Sequence, residues 1–439
     1  MRDALVVLAT LLVGCASPPA GMPEPGAAPE VGERYISIGA DAVSTARALA
    51  AQTGAAMDVL DLDHAAAIAV LVFDAEHLET LSEHMHEEHH RCGGFVLHDS
   101  LEEARASLHD RAPARPALDY TLDRAEAVTP ALAGLQASAI LETIRTLSAM
   151  PSRHYQSASG AAASLWLRDL WRGFTTRPDV TVELFDHGYA QQSVILTIPG
   201  STRANEVVVI GGHLDSITMG RKAGVAPGAD DDASGIATLT EVARVLLAKD
   251  FRPERTVKFM AYAAEEVGLR GSQGIVRDFM KRKVDVVGAL QLDMTNYQGS
   301  EKDIWLMKDF TSAAQNTFLT QLIDTYVGAT WGLDACGYAC SDHATWYRAG
   351  VPASMPFEAR MSQRNRAIHT QGDTLEVSGN NAAHALKFAR LAAAYAIELG
   401  KGELGAPDAT APLPVIAAAA PASVGIPTWR LLAGALSLL

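Results

Sequence analysis

The chain has few cysteines, and it lacks the long apolar runs and the basic excess that define several protein classes. Its 4 cysteines in 439 residues are too few for a disulfide scaffold and show no C-x-x-C spacing of a structural zinc site. No uncharged apolar run reaches about 18 residues, which excludes a polytopic membrane protein. The net charge of −15 argues against a general nucleic-acid or anionic-membrane binder.

The remaining composition is that of a globular protein of more than one domain. Hydrophobic residues make up 48% of the chain and charged residues 20%, which supports a sizeable core. The length of 439 residues predicts two or three domains.

Residues 1–16 have the pattern of a signal peptide. Met1 and Arg2 precede an apolar stretch at residues 4–13, so we expect a secreted or cell-envelope protein. The segment from Leu12 to Cys15 also resembles a bacterial lipobox, in which Cys15 would carry a lipid anchor to the outer membrane. A plain signal peptide with an incidental cysteine is the alternative.

The rest of the chain divides by composition into five segments. Residues 17–32 and 111–128 are rich in proline and alanine and predict a linker and a processing region, respectively. Residues 33–110 predict a small α/β unit, with strands at 34–38, 67–73 and 94–98 and helices at 42–51 and 75–90. Residues 129–402 predict the main domain. Residues 403–439 form a tail with an apolar end too short to span a bilayer.

The main domain alternates short apolar runs with helical patterns. The runs at 207–210, 256–261, 286–292 and 353–357 predict buried strands, and helices are predicted at 236–248, 273–282 and 384–399. This alternation predicts an α/β fold with a mostly parallel, doubly wound sheet flanked by helices.

Acidic and histidine residues follow these runs, at the edge of the sheet where ligands bind. A histidine with an acid two residues later follows the first strand, an acidic triplet precedes a helix, a glutamate pair follows the second strand, and a lone aspartate and a late histidine complete the set: His213, Asp215, Asp230–Asp232, Glu265, Glu266, Asp293 and His369. Each motif also has an ordinary interpretation, such as helix capping by the triplet. Together they form a ligand set for two divalent ions with open positions for water and substrate, which is typical of hydrolytic metal sites.

Several longer strings extend this interpretation: GGHLDS, PGADDDASG, MAYAAEEVGLRGSQ, LQLDMTNY, CGYACSDH and IHTQGDT. Over roughly residues 140–399 the chain resembles the secreted bacterial leucyl aminopeptidases, which are co-catalytic dizinc enzymes. The resemblance implies two zinc ions held by His213, Asp231, Glu266, Asp293 and His369. It also implies that Asp231 bridges the ions and precedes a cis peptide bond, and that Glu265 is the general base. Asp215 suits the role of orienting His213.

The same resemblance implies a pocket for the first side chain of a peptide. It implies a disulfide between Cys336 and Cys340 and an apolar, leucine-preferring pocket formed by Met294, Met307, Tyr338, Met355, Phe357 and Ile368. The chain departs from the family in one loop, where Met361, Arg364 and Arg366 stand in place of aromatic residues. His343 is interpreted as a structural residue at a helix start, because the chain has no G-x-S-x-G motif.

Residues 35–41 and 84–94 resemble the propeptide of these enzymes, so the unit at 33–110 is predicted to be a pro-domain. His86 to His90 also match H-E-x-x-H, which on a helix would form a different zinc site. We interpret this motif as a polar helix face of the pro-domain, because no third ligand is evident.

We therefore expect an exported, monomeric dizinc aminopeptidase that acts on peptides, is made as a proenzyme with its own pro-domain as partner, and binds no nucleic acid. A carboxypeptidase of the same superfamily, a single-zinc cyclase and a binding ectodomain with inactive metal sites are the alternatives. The full ligand set argues against the last two, and preference for free amino-terminal peptides would separate the peptidases.

Overall fold

The computed structural model describes residues 32–64, 67–89, 91, 93–98, 100–108, 118–218 and 224–405. The predicted signal peptide with Cys15, nearly all of the linker at 17–32, the first part of the processing region and nearly all of the tail lie outside the described residues, as do His90 and Cys92.

The N-terminal unit, residues 32–108, is a four-stranded antiparallel sheet with helices. Its elements are β1 (Glu33–Gly39), α1 (Val43–Thr53), β2 (Met57–Asp63), β3 (Ile68–Asp74), α2 (Leu78–His89), β4 (Phe95–His98) and α3 (Leu101–Ala106). The strand order is β2-β3-β1-β4. Ile36, Leu71 and Phe73 pack with Leu49 and Met85 into one core. Two elements, β2 and α3, were not predicted. β2 is an edge strand with exposed and half-buried residues, so it has no strong apolar pattern.

The main unit, residues 118–405, contains the remaining elements. Its helices are α4 (Ala125–Leu132), α5 (Ala137–Ser148), α6 (Ala158–Arg172), α7 (Ala233–Ala248), α8 (Arg270–Lys281), α9 (Ala313–Leu322), α10 (His343–Arg348) and α11 (Ala385–Gly400). Its strands are β5 (Thr181–Phe185), β6 (Ser193–Ile198), β7 (Arg203–His213), β8 (Phe251–Arg252), β9 (Arg255–Tyr262), β10 (Asp285–Gln291), β11 (Ile304–Met307), β12 (Trp331–Asp334), β13 (Ala353–Ser354), β14 (Pro356–Phe357) and β15 (Glu403–Leu404).

The central sheet has the order β13-β10-β7-β9-β6-β5. Strands β13, β10, β7 and β9 are parallel neighbours, whereas β6 and β5 are added antiparallel at one edge. Alternate residues of β7 enter different cores: Val208 and Ile210 face the core that includes α5, α7 and α11, and Val207 and Val209 face the core that includes α8 and α10. Both faces of the sheet are therefore covered, as the nearly continuous apolar sequence of β7 predicts.

The predicted single strand at 353–357 is wrong in one respect, because it is divided between two sheets. β13 pairs with β10 in the central sheet, whereas β14 pairs with β11 in a separate sheet of order β12-β11-β14. Pro356 begins the second piece, and since proline has no N–H it cannot donate a further bond to the β10 ladder. The division places Met355 between the two sheets.

Within the described ranges, no single helix is long and apolar enough to cross a bilayer. Among the described helices, only α4 and α5 taken together reach the required length and composition, and they are bent by 63° relative to each other.

Candidate metal and catalytic site

Parallel strands bring the predicted site residues to one edge of the central sheet. β7 ends at His213, and the segments after β9 and β10 carry Glu265, Glu266 and Asp293. His369 reaches the same place from the loop that precedes α11. All five residues are buried, with at most 5% exposure. Residues far apart in the sequence thus converge because the carboxyl ends of neighbouring parallel strands lie side by side.

Asp231 lies between the two histidines and contacts each with a different oxygen. Its Oδ1 is 2.9 Å from His213 Nε2, and its Oδ2 is 3.0 Å from His369 Nε2. Asp293 Oδ1 lies 3.6 Å from His213 Nε2 on one side, and Glu266 Oε2 lies 3.1 Å from His369 Nε2 on the other. The arrangement is therefore two adjacent clusters of ligand atoms that share one carboxylate.

The acidic residues in these clusters fit bound cations. Apart from these contacts with the histidine rings, both carboxylate oxygens of Asp231 and of Glu266, and one of Asp293, are buried without accepting a hydrogen bond from any described residue. Such groups cost several kcal/mol unless a positive charge compensates them. Although burial alone would raise the pKa of Asp231, its contacts with His213 and His369 lower that pKa below its usual range. Imidazole and carboxylate donors suit zinc among the common protein metals.

The three residues of the acidic triplet make different contacts. Asp232 caps α7 by accepting the Gly235 N–H at 2.9 Å, and it also accepts the backbone N–H groups of His213 and Met294 at 2.9 and 3.1 Å. Asp230 accepts the Asn296 N–H at 3.2 Å. Only Asp231 is left to face the two histidines. The peptide bond between Asp231 and Asp232 is cis, as the family resemblance implied.

Asp215 contacts the backbone of the glutamate pair and lies close to His213. Its Oδ1 accepts the backbone N–H of Glu265 at 3.0 Å, its Oδ2 accepts that of Glu266 at 3.2 Å, and Oδ1 lies 3.5 Å from His213 Nδ1. One carboxylate therefore fixes the backbone of the glutamate pair and lies beside the imidazole of His213. A carboxylate beside a metal-binding histidine typically orients it, and this role stays a prediction for Asp215.

Glu265 lies in a fully buried position beside the clusters. Neither of its carboxylate oxygens takes part in a hydrogen bond with a described residue. Burial raises the pKa of Glu265 well above its ordinary value, although the nearby His213 opposes the change. A carboxyl group with a raised pKa can both accept and return a proton near neutral pH.

Three residues that support the triplet were not identified from the sequence. Asp373 accepts the backbone N–H groups of Asp230 and Asp231, and Asn365 donates to the side chains of both Asp230 and Asp373. The buried guanidinium of Arg153 donates to the carbonyl oxygens of Leu147, Leu214, Pro227 and Gly228. These bonds join residues that are separated in the sequence, so they leave no local pattern.

The six residues predicted to line a pocket lie in one apolar cluster. Met294, Met307, Met355, Phe357 and Ile368 are buried together, and Tyr338 packs against them. The cluster also contains Trp305, which was not predicted, and half-buried Met361 from the divergent loop. Met294 and Ile368 are next in sequence to Asp293 and His369, so this cluster adjoins the metal clusters.

The two arginines of the divergent loop donate hydrogen bonds to backbone carbonyl groups of the same loop. Arg366 is exposed and donates to the Ser362 carbonyl oxygen, and Arg364 donates to that of Met361. Met361 of this loop packs against the apolar cluster with its half-buried side chain. Cys340 belongs to the same cluster and is joined by a disulfide bond to Cys336, which packs against the cluster. His343 begins α10 and lies 3.2 Å from the Asp309 carbonyl oxygen.

The interpretation of the H-E-x-x-H motif as a polar helix face is wrong for His86. Its side chain is buried, its ring centre lies 4.1 Å from that of His369, and its Nε2 is 3.9 Å from Glu266 Oε2. Glu87 is exposed, and His90, the second histidine of the motif, lies outside the described residues. His86 instead joins the cluster of Glu266 and His369.

Several known proteins are similar to this chain. Residues 193–395 match the model of Peptidase family M28. The chain is 36% identical over 293 residues to leucine aminopeptidase 1 of Coccidioides posadasii, covering 63% of this chain and 74% of that protein. It is also 36% identical to leucine aminopeptidase 1 of Phaeosphaeria nodorum over 331 residues, covering 72% and 81%.

A solved structure is similar over most of the chain. The LapA aminopeptidase of Legionella pneumophila superposes with a TM-score of 0.72 at 28% identity, over 84% of this chain and 99% of that one. Since fungal and bacterial proteins both match, the comparisons do not restrict the chain to bacteria. The chain belongs to peptidase family M28 and is a metallo-aminopeptidase.

Proposed function

We propose that this protein removes the N-terminal residue from peptides with two zinc ions held at the shared-carboxylate site. His213 and Asp293 would hold one ion, Glu266 and His369 the other, and Asp231 both. The observation that carries the proposal is the position of Asp231, with one oxygen within 3.0 Å of each histidine. Two such ions lower the pKa of a shared water and stabilise the charge that develops on a carbonyl oxygen.

Glu265 would move the proton in this reaction. It is buried next to the ligands, its backbone is fixed by Asp215, and burial raises its pKa. It would accept a proton from the attacking water and pass it to the departing amine, a step that typically contributes 10²–10⁴-fold in rate.

The apolar cluster would receive the first side chain of the peptide. Sulfur and aromatic groups dominate this cluster, and Met361 adds a further thioether. Methionine side chains adapt to branched aliphatic groups, so we expect preference for leucine-like residues. The names of the curated relatives, leucine aminopeptidase 1, support this preference.

The N-terminal unit would be a pro-domain of an exported, monomeric proenzyme. Residues 1–16 support export by their signal-like pattern, whether or not Cys15 is lipidated. The 84% coverage of this chain by the LapA match exceeds what residues 118–405 alone could supply, so the similarity includes part of the N-terminal unit. All five proposed ligands come from one chain, so no partner subunit is needed to complete the site.

The test compares zinc-loaded wild-type protein with Glu265→Gln, after cleavage of the segment between the two units. We expect hydrolysis of leucine p-nitroanilide by the wild type, none of the N-acetylated substrate, and a 10²–10⁴-fold lower kcat in the variant with unchanged zinc content. Asp186→Asn, which changes an exposed acid, is the control. A near-normal kcat for Glu265→Gln would refute the assigned base, and equal turnover of the blocked substrate would refute an aminopeptidase.

A further inference from the structure

Helix α2 presents one face to the main unit, and this face lies over the proposed metal site. Glu79, Ser82 and His86 are spaced by three and four residues, so they lie on the same side of the helix. Glu79 Oε1 accepts a hydrogen bond from the Tyr155 hydroxyl at 2.8 Å, and Ser82 Oγ donates to the Glu266 backbone carbonyl at 2.9 Å. The next residue along this face is His86, which therefore lies above the side chain of Glu266.

The docked N-terminal unit encloses the site. The five proposed ligands and Glu265 are each at most 5% exposed. The imidazole of His86 contacts the ring of His369 with a centre-to-centre distance of 4.1 Å and an angle of 41°. An aminopeptidase must admit a peptide terminus to this place, so His86 occupies space that a substrate needs.

Two roles fit an imidazole in this position: a further zinc ligand or a cover. Two histidines on one tetrahedral zinc, with bonds of about 2.0–2.1 Å, have ring centres about 5 Å apart, and ligand atoms on such an ion are about 3.3 Å apart. The ring centres of His86 and His369 are 4.1 Å apart, which is closer than the ring centres of two histidines on one zinc ion. His86 Nε2 lies 3.9 Å from Glu266 Oε2, which is farther than two ligand atoms on one ion. Both differences describe a ring that lies against His369 rather than one that points at a shared ion.

The hydrogen bonding of the ring leads to the same conclusion. His86 Nε2 accepts the backbone N–H of Gly93 at 2.8 Å, so its lone pair is already used. The neutral ring then carries its proton on Nδ1. Neither nitrogen has a lone pair available for a cation while this bond is made.

The backbone around Gly93 fixes the ring at this distance. A Cβ on Gly93 would lie 3.0 Å from the backbone nitrogen of Gly268, and a Cβ on Gly268 would lie 2.9 Å from the ring of Phe95. Both glycines have positive φ. The backbone of the N-terminal unit at Gly93 therefore passes directly against the loop that follows Glu266, and the hydrogen bond from the Gly93 N–H ties the His86 ring to this contact.

We propose that His86 blocks the active site of the latent enzyme. Its ring covers Glu266 and His369, is held in place by the Gly93 amide, and prevents access of substrate to the metal site without binding the metal. The inference rests on the proposed function, and it assigns the inhibition to one side chain.

The test uses the full-length chain with the segment between the two units intact, as verified by intact mass, and loaded with Co²⁺. Wild type, His86→Ala and His86→Phe are compared by visible absorption before and after addition of acetohydroxamate, a small chelating anion. We expect the same cobalt bands in all three proteins before addition, because His86 is not a ligand. We expect acetohydroxamate to perturb the bands of His86→Ala at a concentration at least tenfold lower than in wild type, and His86→Phe to resemble wild type.

Phenylalanine preserves the planar ring but has no nitrogen, so it separates covering from ligation. His84→Ala is the matched control, because His84 lies on the same helix and pairs with Glu88 at the surface. Cobalt bands that change in both His86 variants before addition would show that His86 is a ligand. Equal acetohydroxamate binding by wild type and His86→Ala would show that it does not block the site. Either result overturns the proposal.

Turnover distinguishes this inference from the proposed function. Uncleaved His86→Ala should hydrolyse leucine p-nitroanilide at least tenfold faster than uncleaved wild type. If the cleaved, zinc-loaded wild type shows no hydrolysis, the proposed function fails, while the acetohydroxamate measurement still decides the role of His86.

Discussion

Replacing Asp215 by asparagine should weaken metal binding without removing any ligand. The two oxygens of Asp215 accept two different backbone N–H groups, those of Glu265 and Glu266. An asparagine of either orientation turns its NH₂ group toward one of them, so one buried donor loses its acceptor. Such a loss costs about 1–3 kcal/mol, and the missing charge adds to it. We expect the free energy of unfolding of the metal-free protein to fall by about 2–3 kcal/mol.

The same substitution also changes the support of His213. Groups that orient a metal-binding histidine typically contribute 10–100-fold in metal affinity or activity. We therefore expect zinc affinity, measured by competition with a chromophoric chelator, to fall by about 10–100-fold. Urea unfolding of the metal-free protein measures the stability change separately.

Asp186→Asn is the matched control for this experiment. Asp186 is exposed, and its Oδ1 accepts a single backbone N–H, that of Gly188 at 2.9 Å. An asparagine can keep that bond through its carbonyl oxygen, so stability and zinc affinity should remain near wild type. If Asp215→Asn matches this control in both measurements, then Asp215 does not position the site.

Two further predictions concern the acidic triplet and the metal. Asp232→Ala removes the α7 cap and leaves three buried N–H groups without acceptors. The free energy of unfolding, measured in urea, should therefore fall by about 3 kcal/mol or more, and by less in Asp232→Asn. Equal stability of Asp232→Ala and wild type would contradict the assigned bonds. Removal of metal by a chelator should lower the Tm, because metal binding stabilises the folded state. It should also abolish hydrolysis, and added zinc should restore both the Tm and the activity. Full activity in the presence of the chelator would exclude a metal-dependent reaction.

The positions of the site residues could be predicted because they follow strong local patterns. His213 and Asp293 come directly after apolar runs that form β7 and β10, and parallel strands bring such positions together. The assignment of Asp231 rather than Asp230 or Asp232 as the shared carboxylate came from the family resemblance. The reason is visible only in three dimensions, where Asp232 is committed to three backbone N–H groups.

Other features depend on contacts that a linear sequence does not record. Arg153 and Asn365 act on backbone atoms and carboxylates brought near them by folding, and their immediate neighbours carry no periodic pattern. The separation of β13 from β14 was missed because Ala353 to Phe357 read as one apolar run. His86 was interpreted as part of a polar helix face because no third zinc ligand was evident, whereas the docking of the whole unit decides its environment.

The close contact between the backbones at Gly93 and Gly268 limits which residues the two units can have at these positions. Each position excludes a side chain because of atoms contributed by the opposite unit. An alanine at either position would push the two units apart, although it would not change the core of its own unit. A chimera that combines the first unit of one relative with the second unit of another should therefore close properly only when both parents have glycine at this crossing.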